Sequence, residues 1–401
     1  MRDWTLPLVE PGRPEITLAG WGHSRFGKLT DQSLEQLIIS VTRQALESAQ
    51  ITAQDVDEIV LGHYNAGLVP LAFPSSLVLQ ADDDLRFVPA TRVENACATG
   101  SAAVHQAVRS LLAGTARTVL VVGVEKMTDA PAHGVGRALL GADYDLAGQE
   151  SGVGFAGLFA EIAKAYFERY GDVSDAMAKI AAKNHRNGMD NPYAHLRRDL
   201  GYEFCATVSA DNPLVAAPLR RTDCSPVSDG AAALVLTTAT AVDAARPRVR
   251  LRGIGQANDF LPTSRRDPVA FAGARAAWSR ALSSAGVGVD DLDLVELHDC
   301  FTIAELLLYE VIGLTEQGKG AQAIEEGWVY RDGKLPVNPS GGLKAKGHPI
   351  GATGVSQHVL AAMQLSGTAG DMQIPGAGLA GVFNMGGVGV ANYASVLERV
   401  D

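Results

Sequence analysis

One pattern is written twice in this chain. Residues 45–65 read ALESAQITAQDVDEIVLGHYN and residues 281–301 read ALSSAGVGVDDLDLVELHDCF, an offset of 236 with seven of 21 aligned pairs identical. Each copy reads as the end of an amphipathic helix, an acidic turn and the start of an apolar strand. Each strand then runs out into a polar tip, Gly62-His63-Tyr64-Asn65 in the first copy and His298-Asp299-Cys300-Phe301 in the second. A second echo follows in the same order. Ala98-Thr99-Gly100 opens a helix that runs to Gly114, and Ala352-Thr353-Gly354 opens one that runs to Gly367. Two echoes in register point to a duplicated chain, and hence to two similar halves about a pseudo-twofold axis.

The local patterns predict an α/β fold. Thr118–Val122 and Leu234–Thr238 are β-branched or aliphatic runs of buried-strand type, while Leu34–Ala49 carries helical periodicity. Alternation of this kind packs helices on both faces of mixed sheets. The expected division is an N-terminal half over 1–265 and a C-terminal half over 266–401. Residues 126–220, richer in polar, aromatic and glycine residues and containing a helix around Leu158–Tyr170, are expected as an insertion folded over the site.

Charge and cysteine usage remove several function classes. A formal charge of −11 argues against nucleic-acid partners, which select a basic stripe. Cys97, Cys205, Cys224 and Cys300 form no C-x-x-C pair, so neither a disulfide framework nor a metal centre is expected. The first residues, MRDWTLPLVEPGRP, lack the apolar segment of a signal peptide, and no apolar run reaches the ~18 residues of a membrane span. A cytoplasmic protein without membrane insertion is the expectation. Gly152-Val153-Gly154-Phe155-Ala156-Gly157 fits G-x-G-x-x-G, but no strand precedes it, so it does not read as a dinucleotide loop.

Chemistry gathers at four places. In Glu94-Asn95-Ala96-Cys97-Ala98-Thr99-Gly100 a cysteine sits just before a helix of small residues. The helix dipole there is expected to stabilise the thiolate, and the terminal N–H groups can bind an oxyanion. In Gly341-Gly342-Leu343-Lys344-Ala345-Lys346-Gly347-His348-Pro349 a histidine stands directly before the duplicated helix. Pseudo-twofold symmetry then brings His348 towards Cys97, as a base to its nucleophile. His298 and Cys300, at the end of the duplicated strand, offer a hydrogen-bond donor and a proton carrier. The glycines of Asn384-Met385-Gly386-Gly387-Val388-Gly389 can present backbone N–H groups to a developing oxyanion.

These blocks, together with Gly123-Val-Glu-Lys-Met-Thr and Ser228-Asp-Gly-Ala-Ala-Ala, resemble the thiolase family, and His298-Asp-Cys-Phe resembles its sterol-carrier-protein branch. The resemblance runs from about Ile16 to Glu398. It implies an α/β fold of five α-β-α-β-α layers built from two duplicated halves with an inserted loop domain, assembled as a homodimer or homotetramer. It implies an acetyl-CoA acetyltransferase-type acyltransferase of lipid metabolism with no permanently bound cofactor, using coenzyme A as co-substrate. Acyl-CoA and CoA are then the partners, with fatty-acyl and steroid acyl groups both open. By the same resemblance Cys97 is the acylated nucleophile and His348 its activator. His298 stands in the oxyanion site where other thiolases use Asn, and the amides of Cys97 and Gly386 form a second oxyanion hole. Asn384 departs from the family's Cys-x-Gly-Gly turn, so the acid/base role passes to Cys300. Lys344 and Lys346 are expected to meet the phosphates of CoA, since a chain of net negative charge needs local cations for a polyanion. Two rivals stay open: a ketoacyl synthase-like condensing enzyme using Cys97, His298 and His348, and a thiolase-like subunit that binds acyl-CoA without activity of its own.

Overall fold

The computed structural model describes residues 6–10, 12–239 and 248–400. Its first half runs β1 (Thr17–His23), α1 (Leu34–Ala49), β2 (Glu58–Gly62), β3 (Ala90–Val93), α2 (Thr99–Ala113) and β4 (Thr118–Glu125). Then come α3 (Ala132–Leu140), α4 (Ala156–Tyr170), α5 (Ser174–Gly188), α6 (Gly201–Ala206) and the hairpin of β5 (Leu214–Ala216) and β6 (Leu219–Arg220), before β7 (Gly230–Thr237). The second half runs β8 (Arg248–Asn258), α7 (Ala272–Ala285), β9 (Leu294–Glu296), α8 (Thr302–Val311), α9 (Gly320–Glu325) and α10 (Gly342–Lys346). It ends with α11 (Ile350–Leu365), β10 (Leu379–Gly386) and β11 (Ala391–Val400). The helix expected over Leu34–Ala49 is α1 itself. It starts there because Ser33 and Gln36 cap each other: the Gln36 amide donates to Ser33 Oγ at 3.1 Å and the Ser33 amide to Gln36 Oε1 at 2.8 Å.

The duplication is visible in the strand order, β3-β2-β4-β7-β1-β8-β11-β10-β9. Outward from the seam between β1 and β8, each half repeats one scheme. An antiparallel neighbour comes first (β7, β11), a second antiparallel pairing follows (β4, β10), and then a parallel one (β2, β9). β3 closes the first half in parallel, and Val337 bridges β9 in parallel at the matching place in the second. The seam consists of two residue pairs, Thr17 with Arg250 and Leu18 with Val249.

Five layers result. Leu37, Ile38 and Val41 of α1 pack on Leu120, Val122 and Val235 of the first half-sheet. Between the half-sheets, Val104 and Val108 of α2 and Val355 and Val359 of α11 share a core with Val121, Leu234, Val382 and Leu397. Trp278 and Ala281 of α7 cover Phe383 and Val396 on the outer face of the second half-sheet. β4 and β7 are buried along their whole length, which is why they read as unbroken apolar runs. α2 and α11 cross at the repeated Ala-Thr-Gly. A Cβ on Gly100 would stand 2.7 Å from the Gly354 nitrogen, and one on Gly354 would stand 2.2 Å from the Ser101 nitrogen. Only glycine allows that approach. The two helix N-termini therefore meet near the axis, and the segments that precede them, carrying Cys97 and His348, meet there too. The G-x-G-x-x-G run spans the turn before α4 and the first two residues of that helix, and the element ahead of it is α3 rather than a strand.

Candidate active site

Cys97 stands two residues before α2, on a turn strained at Ala96, whose φ is +48°. The turn is held by the Asn95 amide donating to Thr99 Oγ1 at 2.8 Å and by the Ala98 amide donating to the Asn95 carbonyl at 3.0 Å. His298 follows β9 and His348 precedes α11. The Cys97 sulfur and one ring nitrogen from each histidine lie within 4.8 Å of one another, and all three residues are buried. The imidazoles meet edge to face, with centroids 5.1 Å apart. Cys97, Cys300 and His348 line one cavity of about 430 Å³, whose walls include Met127, Leu139 and Phe155 of the inserted region and Ile350 of α11.

The two histidines have opposite hydrogen-bonding roles. Thr353 Oγ1 donates to the Pro349 carbonyl at 2.9 Å, so at 2.6 Å from His348 Nδ1 it accepts that ring's proton. His348 Nε2 is thereby a bare acceptor, buried and without a partner among the described residues. Asn384 Nδ2 donates to the Cys97 carbonyl at 3.0 Å, which fixes the orientation of the amide, and faces His298 Nδ1 at 2.8 Å. His298 Nδ1 therefore accepts, and its Nε2, also unpartnered, carries the proton; His298 itself is fully buried against His348 and does not line the cavity. The site presents one base and one donor side by side. The three donor atoms are close enough to compete for one small soft ion, but Asn384 holds His298 in the tautomer whose Nε2 has no lone pair to give.

The expectation that the helix dipole keeps Cys97 ionised is corrected. Burial pushes the Cys97 thiol up to about 12, with Glu125 and Glu94 adding to the effect; the Gly387 and Cys97 amides only partly oppose it. Burial, then Lys346, lowers His348 to about 3. Thiol and imidazole are both neutral at rest. Burial also raises the Cys300 thiol, followed by the nearby Cys97.

Lys344 and Lys346 are corrected as phosphate ligands. Both are buried, at 3% and 0% exposure. Lys346 Nζ has no hydrogen-bond partner among the described residues, and its field reaches Glu296 and Asp299 rather than the surface. Burial depresses both ammonium groups. The amide that faces the Cys97 sulfur from the glycine turn is that of Gly387, one residue past Gly386.

Three more residues position the site without having been singled out in the sequence. Asp299 accepts from the Leu343 and Lys344 amides at 2.6 and 3.1 Å and from Asn184 at 2.8 Å, tying the His298–Cys300 segment to the turn that carries His348. Burial and the neighbouring Glu305 raise its carboxyl to about 7. Asp229 accepts from the Met127 and Thr128 amides at 2.7 and 2.8 Å and from Lys126 at 2.8 Å, fixing the cavity wall. Glu125 accepts from the Gly351 amide at 2.9 Å, so the N-terminus of α11, the duplicate of the one beside Cys97, is filled by a carboxylate. The Gly123-Val-Glu and Ser228-Asp blocks hold Glu125 and Asp229, but no local pattern said what they would bind.

The chain matches the thiolase N-terminal domain over residues 21–240 and the thiolase C-terminal domain-like family over residues 255–399. It is 36% identical to an acetyl-CoA acetyltransferase of Methanothermobacter thermautotrophicus, covering 96% of this chain and 100% of that one. It is 30% identical to sterol carrier protein 2 of Bos taurus, covering 94% of this chain and 71% of that protein. Among solved structures, the Ltp2-ChsH2(DUF35) aldolase superposes with a TM-score of 0.82 at 21% identity, covering 96% of this chain and 98% of the other.

Proposed function

The chain belongs to the thiolase family and is a thiolase-type acyltransferase, and from that premise we propose that it cleaves a 3-oxoacyl-CoA by thiolysis, or runs the reverse Claisen condensation, through an acyl-Cys97 intermediate. The observation that carries the reading is the convergence of the Cys97 sulfur with one ring nitrogen each of His348 and His298 within 4.8 Å, in rings whose hydrogen bonds leave Nε2 bare in the first and protonated in the second.

The neutral resting pair sets the order of events. His348 Nε2 takes the Cys97 proton as the sulfur attacks the keto carbon, so charge separation occurs only once substrate excludes water. The Cys97 and glycine-turn amides, with Gly386 retained as a candidate beside Gly387, stabilise the tetrahedral oxyanion. Cleavage of the bond between the keto and α-carbons leaves R–CO–S–Cys97 and the enolate of acetyl-CoA (or propionyl-CoA). By then His348 carries a proton on Nε2, so two imidazole N–H groups converge on the enolate oxygen. Cys300 delivers the proton to the α-carbon and recovers it through the second half-reaction. CoA–SH then attacks acyl-Cys97, releasing acyl-CoA and the free thiol. No permanently bound cofactor takes part.

We further place the work of the enzyme in the cytoplasm, in a homodimer or homotetramer. Among the described residues no helix is long and apolar enough to cross a membrane. The division into halves stays a proposal, and β8, which takes the place of β1 in the second half, argues for a junction before Arg248 rather than at 265. Intact-mass analysis after mixing with acetoacetyl-CoA and longer 3-oxoacyl-CoA esters should show an acyl adduct that Cys97→Ala abolishes together with turnover. Near-wild-type thiolysis by Cys97→Ala would sink the reading. CoA binding with no adduct on the wild-type chain would favour the inactive-subunit rival, and turnover confined to malonyl thioesters the ketoacyl synthase-like one.

A further inference from the structure

The burial of Lys344 and Lys346 leaves a physical question, because CoA carries several phosphate charges and the chain itself carries −11. A polyanion approaching a net-negative protein needs a cation where it docks. Among the residues lining the catalytic cavity, Lys28 is the one whose side chain carries a full charge. It lies on the β1–α1 loop, is exposed, and lines the cavity together with Val215 and Val227.

The backbone around Lys28 is unusually fixed for a surface loop. The Gly27 amide donates to the Asp229 carbonyl at 3.1 Å, and the Asp229 amide returns a bond to the Gly27 carbonyl at 2.8 Å. On the other side, the Leu29 amide donates to Asp229 Oδ2 at 3.1 Å, and Lys126 Nζ donates to the Leu29 carbonyl at 3.0 Å. The residues flanking Lys28 are thus tied to the same aspartate that fixes the Met127–Thr128 wall. Lys126, three residues before the exposed Asp129, has its charge consumed by Asp129 and Asp229 at 2.7 and 2.8 Å. Lys28 has no ion-pair or hydrogen-bond partner among the described residues. On the same cavity, Val215 and Val227 keep 40% and 43% of their surface exposed, so its solvent-facing part includes apolar surface beside the charge.

We propose that Lys28 receives the phosphate end of CoA at the cavity mouth, while Val215 and Val227 pack the pantetheine chain that leads inward to Cys97. The assignment rests on the thiolase reading for its ligand and on the locked loop for its geometry. An unpaired ammonium on a fixed backbone loses little conformational freedom beyond its own side chain when it meets a phosphate. The same aspartate holds the loop and the cavity wall, so the phosphate contact and the thioester position keep a constant separation.

The test compares wild type with Lys28→Gln and Lys28→Arg on three probes: CoA alone by calorimetric titration, acetoacetyl-CoA, and acetoacetyl-pantetheine, which has no phosphate. Lys28→Gln is expected to weaken CoA binding and raise KM for acetoacetyl-CoA by about tenfold, the size of one charged hydrogen bond. Most of the loss should sit in KM rather than kcat, should shrink at high salt, and should be recovered by Lys28→Arg. KM for acetoacetyl-pantetheine should be the same in all three proteins. Equal CoA affinity in wild type and Lys28→Gln at low salt overturns the assignment, and so does an equal loss on the pantetheine ester. If acetoacetyl-pantetheine leaves no acyl group on wild-type Cys97, the proposed reaction fails instead, while the calorimetric comparison still decides the role of Lys28.

Discussion

Asn384 Nδ2 faces two atoms, the Cys97 carbonyl and His298 Nδ1, and the first decides its orientation for the second. Replacing the amide by a carboxylate inverts the logic. In Asn384→Asp the oxygen facing His298 demands a proton on Nδ1, which strips Nε2 of the hydrogen it presents to substrate. A catalytic dyad held in the wrong tautomer loses on the order of 10⁴-fold in kcat in serine proteases, and a loss of at least about 100-fold is expected here, with KM less affected. A kcat within threefold of wild type, in a protein of unchanged circular dichroism, would show that the tautomer does not matter. Cys97, His298, Cys300 and His348 stand out in the sequence because each occupies a helix mouth or strand end that a short pattern marks, and the fold brings Cys97 together with both histidines and places Cys300 on the same cavity as Cys97 and His348. Asn384 stands out only as a missing cysteine. The burial of Lys344 and Lys346 is not legible there, because a letter K shows a charge without showing which way the charge faces.

At the scale of elements, the crossing of α2 and α11 is what brings the four blocks together. Gly354→Ala would gain roughly 1 kcal/mol of intrinsic helix propensity. Its Cβ, however, would meet backbone of α2 at 2.2 Å, where no side-chain rotation can relieve the clash. Overpacking of about 1–3 kcal/mol or more then wins, so the variant should be less stable than wild type. It should also lose activity by moving His348 away from Cys97. A denaturant midpoint equal to or above that of wild type would contradict the crossing. The helix starts were legible from the repeated Ala-Thr-Gly and the small residues that follow it. The difference between the two N-termini, one holding a thiol and the other plugged by Glu125, comes from the ends of strands far away in sequence.

For the whole molecule the notable charge property is a set of buried neutral histidines. His23, His185, His348 and His358 are lowered to about 3, 3, 3 and 4, and His105 and His298 lie well below the usual value, burial being the largest cause in each. The unfolded chain protonates these rings near 6.5, while the folded one does not until far lower. The unfolded state therefore binds more protons, and stability is complete above about pH 6.5 and falls as pH drops below it. Each ring contributes up to roughly 1.4 kcal/mol per pH unit, moderated by solvent and relaxation. Asp299 and Glu296, whose buried carboxyls are raised, act in the opposite sense but are fewer. Denaturation at pH 7.5 and pH 5 should show a markedly lower free energy of unfolding at pH 5. Equal values would mean that these rings are solvated.

The amino-acid sequence by itself determined the duplication, the alternation of strand and helix, and the residue types at each helix mouth, because these follow from periodicity and from backbone preferences that act over a few residues. Only the tertiary structure decided the neutral state of Cys97, the tautomers of His298 and His348, the amide that faces the sulfur, and the retreat of Lys344 and Lys346 into the interior. Those properties depend on desolvation and on hydrogen bonds between segments as far apart as Cys97 and Asn384. Local pattern carries no record of what will lie on the other side of a side chain.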